Sequence, residues 1–294
     1  MSELLGKISK WKSGLKANKK TNPESVKIEA LLKLIKTDNL LITLSKNVSS
    51  SQIKEAVQDC PAVKLCEISN VVERTDLPAF IPSLLSYVET TGEFPRQQTK
   101  GKKKGFWQYY RREKKAEIDV MVKELAEKTG SKNKEIEEQI KSRVFRAYYS
   151  LVRDVHLGLK CLESEFFEQV VYDFDLDQQY GIDILVKHKG RYFALSLFTD
   201  TVKSYDALWR RLNQGNHVKV EDITTVYMPI MIPGKFNRVE TGGRLKGKTY
   251  SNAFEVIEDG YEVLRSPGEH IADFTFYDDG TIECLKNRIT TMVQ

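Results

Sequence analysis

The stretch FEQVVYDFDLDQQYGIDILVKHKGRYFALSLFTDT, residues 167–201, decides the fold of this chain. It predicts three successive strands, because segments rich in Val, Ile, Leu, Tyr and Phe are separated by residues that favour turns. The predicted strands are Gln169–Phe174, Gly181–Lys187 and Arg191–Phe198. The link between the last two ends in Gly190 and is short enough for an antiparallel hairpin in which the glycine takes a positive φ.

A carboxylate stands inside the second of these strands. Asp183 lies between Ile182 and Ile184, where an ionised and unpaired side chain would be costly to bury. A carboxylate in such a place usually has a partner or a chemical role. Asp183 is therefore the first candidate functional residue.

The pattern of Gly181–Val186, a turn and Arg191–Phe198 resembles the core of the PD-(D/E)xK nuclease superfamily, and it is most similar to the TaqI-like restriction endonucleases. The resemblance implies that one helix leads into the strands and that another follows the third strand. It also implies that Asp183 binds a metal. In the superfamily the next strand supplies an acid or Gln and, two residues later, a Lys. Ser196 and Phe198 stand at those positions here.

Because Ser196 and Phe198 replace the motif residues, the chain can share the fold of the superfamily without sharing its catalytic chemistry. The superfamily's reaction needs oxygen ligands for Mg²⁺ and a lysine that helps to activate water, whereas Ser196 is a poor ligand and Phe198 has no ammonium group. An active enzyme would need replacement acids upstream and a displaced lysine. The candidates are Glu165, Glu168, Lys187 and Lys203. Alternatively, the glutamates are ordinary solvated charges at a helix end. Mg²⁺ is thus a cofactor only if the chain is an active nuclease.

Alternating acids precede Asp183. Asp173, Asp175 and Asp177 have the spacing of a calcium loop, but the required glycine does not follow and position twelve would be Ile184, which excludes an EF-hand. An acidic strand end that holds a metal or another cation near Asp183 stays open.

The strongest charge signal is RQQTKGKKKGFWQYYRREKK, residues 96–115. Basic side chains neutralise phosphates and aromatic side chains stack on unpaired bases, so the stretch favours nucleic-acid binding. The alternative is a linker leading into a helix whose aromatics pack inward. Candidate residues for contact with nucleic acid or a partner, here and further along the chain, are Lys102, Lys103, Lys104, Trp107, Arg111, Arg112, Arg210, Arg211, Arg244, Lys246 and Lys248.

Residues 242–249, GGRLKGKT, match the P-loop formula of nucleoside triphosphatases. That formula applies between a strand and a helix, whereas here the nearest predicted strand lies well upstream and Tyr250, Ser251 and Asn252 open a helix poorly. The stretch therefore favours a basic loop that faces a polyanion or a partner.

The order of predicted elements indicates an α/β (α+β) chain. Its expected parts are a basic N-terminal segment (1–24), a small α/β domain (25–92), a basic, aromatic helical connector (93–132) and a restriction-endonuclease-like domain with a mixed sheet flanked by helices (133–294). Further helices are predicted at Glu24–Lys36, Ser51–Asp59, Leu77–Val88, Ala116–Lys128, Lys134–Glu163 and Val202–Leu212. Further strands are predicted at Leu40–Ser45, Ala62–Ile68, Thr224–Ile232, Ala253–Ile257, Ile271–Tyr277 and Thr281–Leu285.

Composition sets broad limits on function. The 294 residues carry a formal net charge of +5, a mild basic bias that is compatible with a polyanionic partner. The four cysteines show no zinc-binding spacing and predict reduced thiols. Neither a membrane span of ~20 apolar residues nor a signal peptide is recognisable, so the expected location is the cytoplasm.

The leading functional expectation is a catalytically degenerate nuclease-fold protein that binds DNA or a DNA-handling protein complex. By fold analogy, the protein would be encoded by a phage or mobile element and would inhibit a bacterial restriction or anti-phage defence nuclease. Two alternatives stay open: an active, divergent Mg²⁺-dependent DNA endonuclease, and an oligomeric protein-interaction scaffold that does not bind DNA. A homo-oligomer is compatible with each of them.

Overall fold

The computed structural model describes residues 26–34, 40–58, 60, 63–95, 105–173, 176–177, 180–201, 204–205, 207–209, 212, 220–232, 244–245, 248–249 and 261–294. Its helices in these ranges are α1 (Ile28–Leu34), α2 (Leu40–Ser45), α3 (Ser50–Gln58), α4 (Asn70–Glu73), α5 (Phe80–Thr91), α6 (Phe106–Glu113), α7 (Lys115–Thr129), α8 (Asn133–Glu163) and α9 (Thr281–Val293). The strands are β1 (Val26–Lys27), β2 (Gln169–Val171), β3 (Ile184–His188), β4 (Arg191–Thr199), β5 (Val220–Glu221), β6 (Thr224–Met231), β7 (Arg244–Leu245), β8 (Lys248–Thr249), β9 (Glu262–Val263), β10 (Ser266–Ile271) and β11 (Phe274–Tyr277).

Helix α8 is the central element of the fold and confirms the helix predicted at Lys134–Glu163. Its apolar side chains recur every three or four residues, which places them on one face of a helix. Those on this face are fully or almost fully buried: Ile136, Ile140, Val144, Tyr148, Leu151, Val155 and Leu159. Over 31 residues the helix is about 46 Å long, enough to pack against both the sheet and the N-terminal helices.

The main sheet has seven strands in the order β11-β10-β6-β4-β3-β2, with β9 also pairing with β6. β2, β3 and β4 are antiparallel neighbours, and the register places Ile184 opposite Leu195. β4 and β6 are parallel, so the sheet is mixed. Lys189 and Gly190 turn the predicted hairpin with φ values of 47° and 75°. This left-handed backbone is easy for glycine, and it suits the right-handed twist of the paired strands.

One large hydrophobic core joins the sheet to the helices. It extends from Leu41 in α2 to Ile289 in α9 and includes the inward-facing side chains of α8 and β4. Residues of the predicted parts 25–92, 93–132 and 133–294 all contribute to it. The boundaries between these parts stay a prediction.

The predicted strand Leu40–Ser45 is wrong, because this segment forms helix α2. Leu41 and Leu44 are both fully buried, and a spacing of three residues puts them on one helical face. The prediction at Ala62–Ile68 is also wrong, since residues 63–68 have no regular secondary structure. In the predicted small α/β domain the described strand is β1, and it pairs with β5 from far along the chain.

Two corrections concern the C-terminal part. The predicted strand Thr281–Leu285 is instead the first part of helix α9. The Asp278 carboxylate accepts hydrogen bonds from the backbone N–H of Thr281 at 3.0 Å and from its hydroxyl at 2.8 Å, which stabilises the helix start. The predicted strand Ile271–Tyr277 is interrupted at Ala272, where the chain turns with φ of 52° between β10 and β11.

Other predictions agree with the described residues. The helices predicted at Ser51–Asp59, Leu77–Val88 and Ala116–Lys128 correspond to α3, α5 and α7, and the strand predicted at Thr224–Ile232 corresponds to β6. The described residues between 204 and 212 are helical, as expected after the third strand. The strand predicted at Ala253–Ile257 lies outside the described residues. Among the helices of the described ranges, none combines the length and the apolar character that a membrane crossing requires.

Candidate functional site

Asp183 lies immediately before β3 and faces β4. Continuing the β3–β4 register by one residue places it opposite Ser196. Its backbone N–H donates to the carbonyl of Leu195 at 3.1 Å, and its Oδ2 accepts a hydrogen bond from the N–H of Leu197 at 2.6 Å. The carboxyl group is therefore fixed against β4.

A buried ion pair from helix α8 lies near Asp183. Arg153 Nε donates to Asp154 Oδ1 at 2.8 Å, and one terminal guanidinium nitrogen donates to the Ser150 hydroxyl at 3.1 Å. The two side chains are only 12% and 8% exposed, respectively. Removing either charge would leave the other charge buried without its partner, which is strongly destabilising.

Three carboxyl groups interact electrostatically at this place. Burial raises the pKa of Asp183 well above its usual range, Asp154 and Asp177 raise it further, and the Leu197 N–H and Arg153 oppose the rise. The pKa of Asp154 is raised to about 6, mainly by burial and against the attraction of Arg153. Since neighbouring carboxylates repel one another where water is excluded, the group favours keeping a proton.

Two tyrosines complete the surroundings. Burial and the nearby aspartates raise the pKa of Tyr172 well above its usual range, so its phenol stays neutral. Burial likewise raises the pKa of Tyr277, which donates a hydrogen bond to the carbonyl of Met228 at 2.6 Å. Arg153, Asp154, Asp177, Asp183, Tyr172 and Tyr277 are called the aspartate cluster below.

The aspartate cluster contains carboxyl groups, as a hydrolytic metal site does, but it differs from such a site in its grouping of ligands and in its positive charge. Across the described ranges, no three His, Cys, Asp or Glu side chains are grouped so that they could hold a metal ion. The positive charge that acts on Asp154 and Asp183 comes from Arg153. A guanidinium balances carboxylate charge, but it keeps its protons and so cannot serve as a general base.

Glu168 and Lys187 lie away from Asp183, at the other end of the hairpin. Lys187 Nζ is 3.8 Å from a Glu168 carboxylate oxygen, and Glu168 also accepts a hydrogen bond from the N–H of Gly190 at 3.1 Å. Lys187 is four residues further along the chain than Asp183, a distance of about 13 Å at the usual rise of a strand. The structure therefore does not bring together the lysine and the acid that the active-enzyme alternative placed beside Asp183.

Glu165 is in the turn that follows α8. It is exposed, its φ is 53°, and its N–H donates to the carbonyl of Leu162 at 3.3 Å. Its position is that of a residue that ends a helix. Ser196 and Phe198, at the altered motif positions, are buried, and the Phe198 ring packs edge-on against Tyr205 with 5.1 Å between centroids. Lys203 lies outside the described residues.

Helix α6 contains the described part of the basic, aromatic stretch. Trp107 is buried, as are Phe106 and Tyr110, which agrees with inward packing of the aromatics. Arg111 is held by ion pairs with Asp119 and Glu137. Arg112 has 62% of its side chain exposed and lies over the Tyr109 ring at 5.4 Å. Of these cations, Arg112 is thus the more accessible to a partner.

Six of the predicted contact residues lie outside the described residues: Lys102, Lys103, Lys104, Arg210, Arg211 and Lys246. Arg244 and Lys248 belong to the antiparallel pair β7–β8. A P-loop would need a phosphate-binding loop followed by a helix, whereas this pairing puts a strand at Lys248–Thr249. The β7–β8 pair therefore argues against a nucleoside triphosphatase site at residues 242–249.

Sequence reasoning missed Arg153 and Asp154. A signal was present, because Asp154 follows Leu151 by three residues and precedes Val155 within the apolar face of α8. It is the same signal that singled out Asp183, namely a carboxylate in an apolar context. Asp177, noticed only as part of a failed calcium loop, acts on Asp183 through its charge.

Comparison of the chain with protein-family models, with curated proteins and with solved structures finds no match. The fold and the site are therefore interpreted from the residues and contacts of this chain.

Proposed function

We propose that this chain is a catalytically degenerate nuclease-fold protein that binds DNA or a DNA-handling protein complex. The observation that carries the proposal is the ion pair of Arg153 with Asp154, in which the guanidinium also acts electrostatically on the carboxyl of Asp183. It provides internally the positive charge that a hydrolytic site of this kind takes from Mg²⁺. Phe198 stands where the nuclease superfamily has a lysine. The aspartate cluster therefore keeps a positive charge close to its carboxyls but has no lysine that could help to activate water.

The order of elements supports the nuclease-like fold. Helix α8 leads into β2, β3 and β4, and the described residues between 204 and 212 are helical before β6. The resemblance implies this succession of a helix, three strands and a further helix. Asp183 also lies immediately before β3 and opposite Ser196, so the two positions that the resemblance assigns to the motif face each other.

Charge supports binding to a polyanion. Residues 96–104 contain five basic residues and no acid, and they connect α5 to α6, where Arg112 is exposed. Basic side chains release counterions when they neutralise phosphates, which favours association with DNA. A phage or mobile-element inhibitor of a restriction or defence nuclease is the setting that fits a fold that keeps recognition and loses cleavage.

The second candidate is an active Mg²⁺-dependent DNA endonuclease. The observation that favours it is the electrostatic interaction of Asp154, from a helix, with Asp177 and Asp183, from the β2–β3 region. The described side chains do not fit Mg²⁺ as they stand, because Asp154 is paired with Arg153 and no group of three ligands is present among them. We therefore derive no catalytic step through this ion.

One experiment separates the candidates. Purified protein is incubated with supercoiled plasmid in Mg²⁺ or Mn²⁺, next to Asp183→Ala, and binding of a labelled DNA duplex is followed by fluorescence anisotropy. We expect no metal-dependent cutting and DNA binding that weakens as salt rises. Cutting that is lost in Asp183→Ala would establish the enzyme and overturn the proposal. Folded protein that neither cuts nor binds DNA would point to the protein-interaction scaffold.

A further inference from the structure

A small cavity of about 120 Å³ lies between helices α5 and α6. Its wall is formed by Pro82, Ser83, Ser86, Tyr109, Glu113 and Lys114. Ser83 is only 4% exposed, and its hydroxyl makes no hydrogen bond to any residue that the structure describes. A buried hydroxyl without a partner is uncommon in proteins, because it has given up water without replacing it. The cavity is called the α5–α6 pocket below.

The α5–α6 pocket offers hydrogen-bond donors to a ligand oxygen. The Ser86 and Tyr109 hydroxyls lie 3.1 Å apart and share one hydrogen between them. The second hydrogen of this pair is therefore not needed for their mutual bond, and the Ser83 hydrogen has no acceptor among the described residues. Three hydroxyls thus supply up to two donors for a ligand rich in acceptor oxygens.

Each cation at the pocket has a glutamate beside it, so the charges balance, and an anion would be held by the open donors of Lys114. Lys114 Nζ is 3.7 Å from Glu117, which is longer than a hydrogen bond, so its donors are open to a closer acceptor. Glu113 is the opposing charge in the wall. Its Oε1 is 3.4 Å from both Nε and Nη2 of Arg112, which offsets it. The Arg112 guanidinium also covers the Tyr109 ring, so a second cation stands beside the pocket.

In the sequence, the pocket residues of α6 come shortly after the most basic part of the chain. The backbone N–H of Tyr109 donates a hydrogen bond to the carbonyl of Gly105 at 3.2 Å. Gly105 directly follows the stretch of residues 96–104, with its five basic residues and no acid. Tyr109 therefore follows the last lysine of this stretch by five residues in the sequence.

We propose that the α5–α6 pocket binds one phosphate group of a nucleic-acid backbone. This inference rests on the proposed DNA binding and names the place where the backbone is held. Lys114 supplies charge, and the hydroxyls of Ser83 and of the Ser86–Tyr109 pair donate to phosphate oxygens. Such contacts position nucleic acid without reading its sequence, so the affinity gained is the same for unrelated sequences.

The test uses the full chain and two readouts. Binding of a labelled duplex is measured over a range of NaCl concentrations for the wild type, for Ser83→Ala with Lys114→Gln, and for Lys115→Gln. Lys115 is the matched control, because it is the next residue, is exposed and does not line the pocket. Independently, dimethyl phosphate is titrated into labelled protein, and the NMR shifts of the Ser83, Tyr109 and Lys114 amides are followed.

We expect the double variant to weaken duplex binding about tenfold and to lower the salt dependence by about one phosphate contact. The Lys115→Gln control should change affinity much less. Dimethyl phosphate should shift the pocket amides of the wild type and not those of the double variant. Ser83→Ala removes a hydroxyl that lacks a partner, so the fold is not expected to suffer; circular dichroism checks this.

The outcomes distinguish this inference from the proposed function. If the wild type binds the duplex, and the double variant binds it equally well without any dimethyl phosphate shifts, the inference is wrong and DNA binding stands. If the wild type does not bind the duplex at all, the DNA-binding part of the proposed function fails. Pocket shifts with dimethyl phosphate would then indicate a site for a free phosphate group, and the nucleic-acid assignment would be wrong.

Discussion

His156 should make the stability of this protein depend on pH. Its ring is fully buried in α8, lies 4.8 Å from the Phe276 ring, and has no hydrogen-bond partner on either nitrogen among the described residues. Burial, assisted by the charges of Lys160 and Lys54 and opposed by Asp279, lowers the pKa of His156 to about 3. An unfolded chain binds the proton near pH 6.5. The stability from neutral His156 is therefore complete above that pH and is lost as the pH falls toward 3.

The size of the effect follows from the two pKa values. Moving from pH 8 to pH 5 should remove about 2 kcal/mol of unfolding free energy through His156 alone. Asp154 acts in the opposite direction, because its pKa is raised to about 6 and its contribution is lost as the pH rises through that value. The measurement must therefore compare two proteins over the same pH interval.

The assay is urea unfolding at pH 8 and pH 5 for the wild type, His156→Phe and His270→Phe. Phenylalanine keeps a ring against Phe276 and cannot be protonated. We expect the stability lost on acidification to be about 2 kcal/mol smaller in His156→Phe than in the wild type. His270 is exposed, so its variant controls for the loss of any histidine. An unchanged pH dependence in His156→Phe would refute the reasoning.

Two further substitutions test the turn that follows α8 and the aspartate cluster. Glu165→Gly should raise the unfolding free energy in urea by about 1 kcal/mol, because Glu165 has φ of 53° and glycine adopts this backbone without strain. Arg153→Met should lower it by about 3 kcal/mol, since the partner Asp154 stays buried. The loss should be larger at pH 8 than at pH 5, because without the guanidinium the carboxyls hold protons more strongly and acid neutralises them.

Matched variants sharpen both tests. Glu165→Ala keeps a side chain at the positive φ and should not stabilise the protein, so equal effects of alanine and glycine would contradict the backbone explanation. Arg153→Lys keeps a positive charge and should lose less stability than Arg153→Met. If the methionine variant is as stable as the wild type at both pH values, Arg153 is not the counter-ion of the aspartates.

Elements with strong local signals were predictable from sequence. The β3–β4 hairpin was evident because Gly190 marks the turn between two apolar runs, and α8 because its apolar face recurs over many turns. The segment Leu40–Ser45 was not, since six mostly apolar residues suit a buried strand as well as a buried helix. Packing of Leu41 and Leu44 in the core decides between them. Helix α9 was not predictable from its first residues, because Thr281–Leu285 suits a strand as well as a helix, and the hydrogen bonds from Thr281 to Asp278 are visible only in the structure.

The candidate site was predictable only in part. Asp183 stood out because its strand is otherwise apolar, whereas Arg153 and Asp154 lie in a helix with many charged residues, where one more ion pair attracts no notice. Their burial depends on which face of α8 meets the sheet. Glu168 and Lys187 were sensible candidates by residue type, but strand geometry places them at the far end of the hairpin. The position of a charged residue in the fold, and not its type, decides whether it belongs to the aspartate cluster.

The pairing of β4 has a consequence for the chain during its synthesis. One edge of β4 is paired as soon as the Lys189–Gly190 turn closes, which is a fast local event. The other edge needs β6, which begins only at Thr224, so the ribosome must deliver residues 200–223 before that edge can be covered. During this interval the nascent chain presents an open strand edge, the kind of surface that pairs with other chains. Slow translation of residues 200–231 is thus expected to lower soluble yield, and slow translation after residue 231 should matter less.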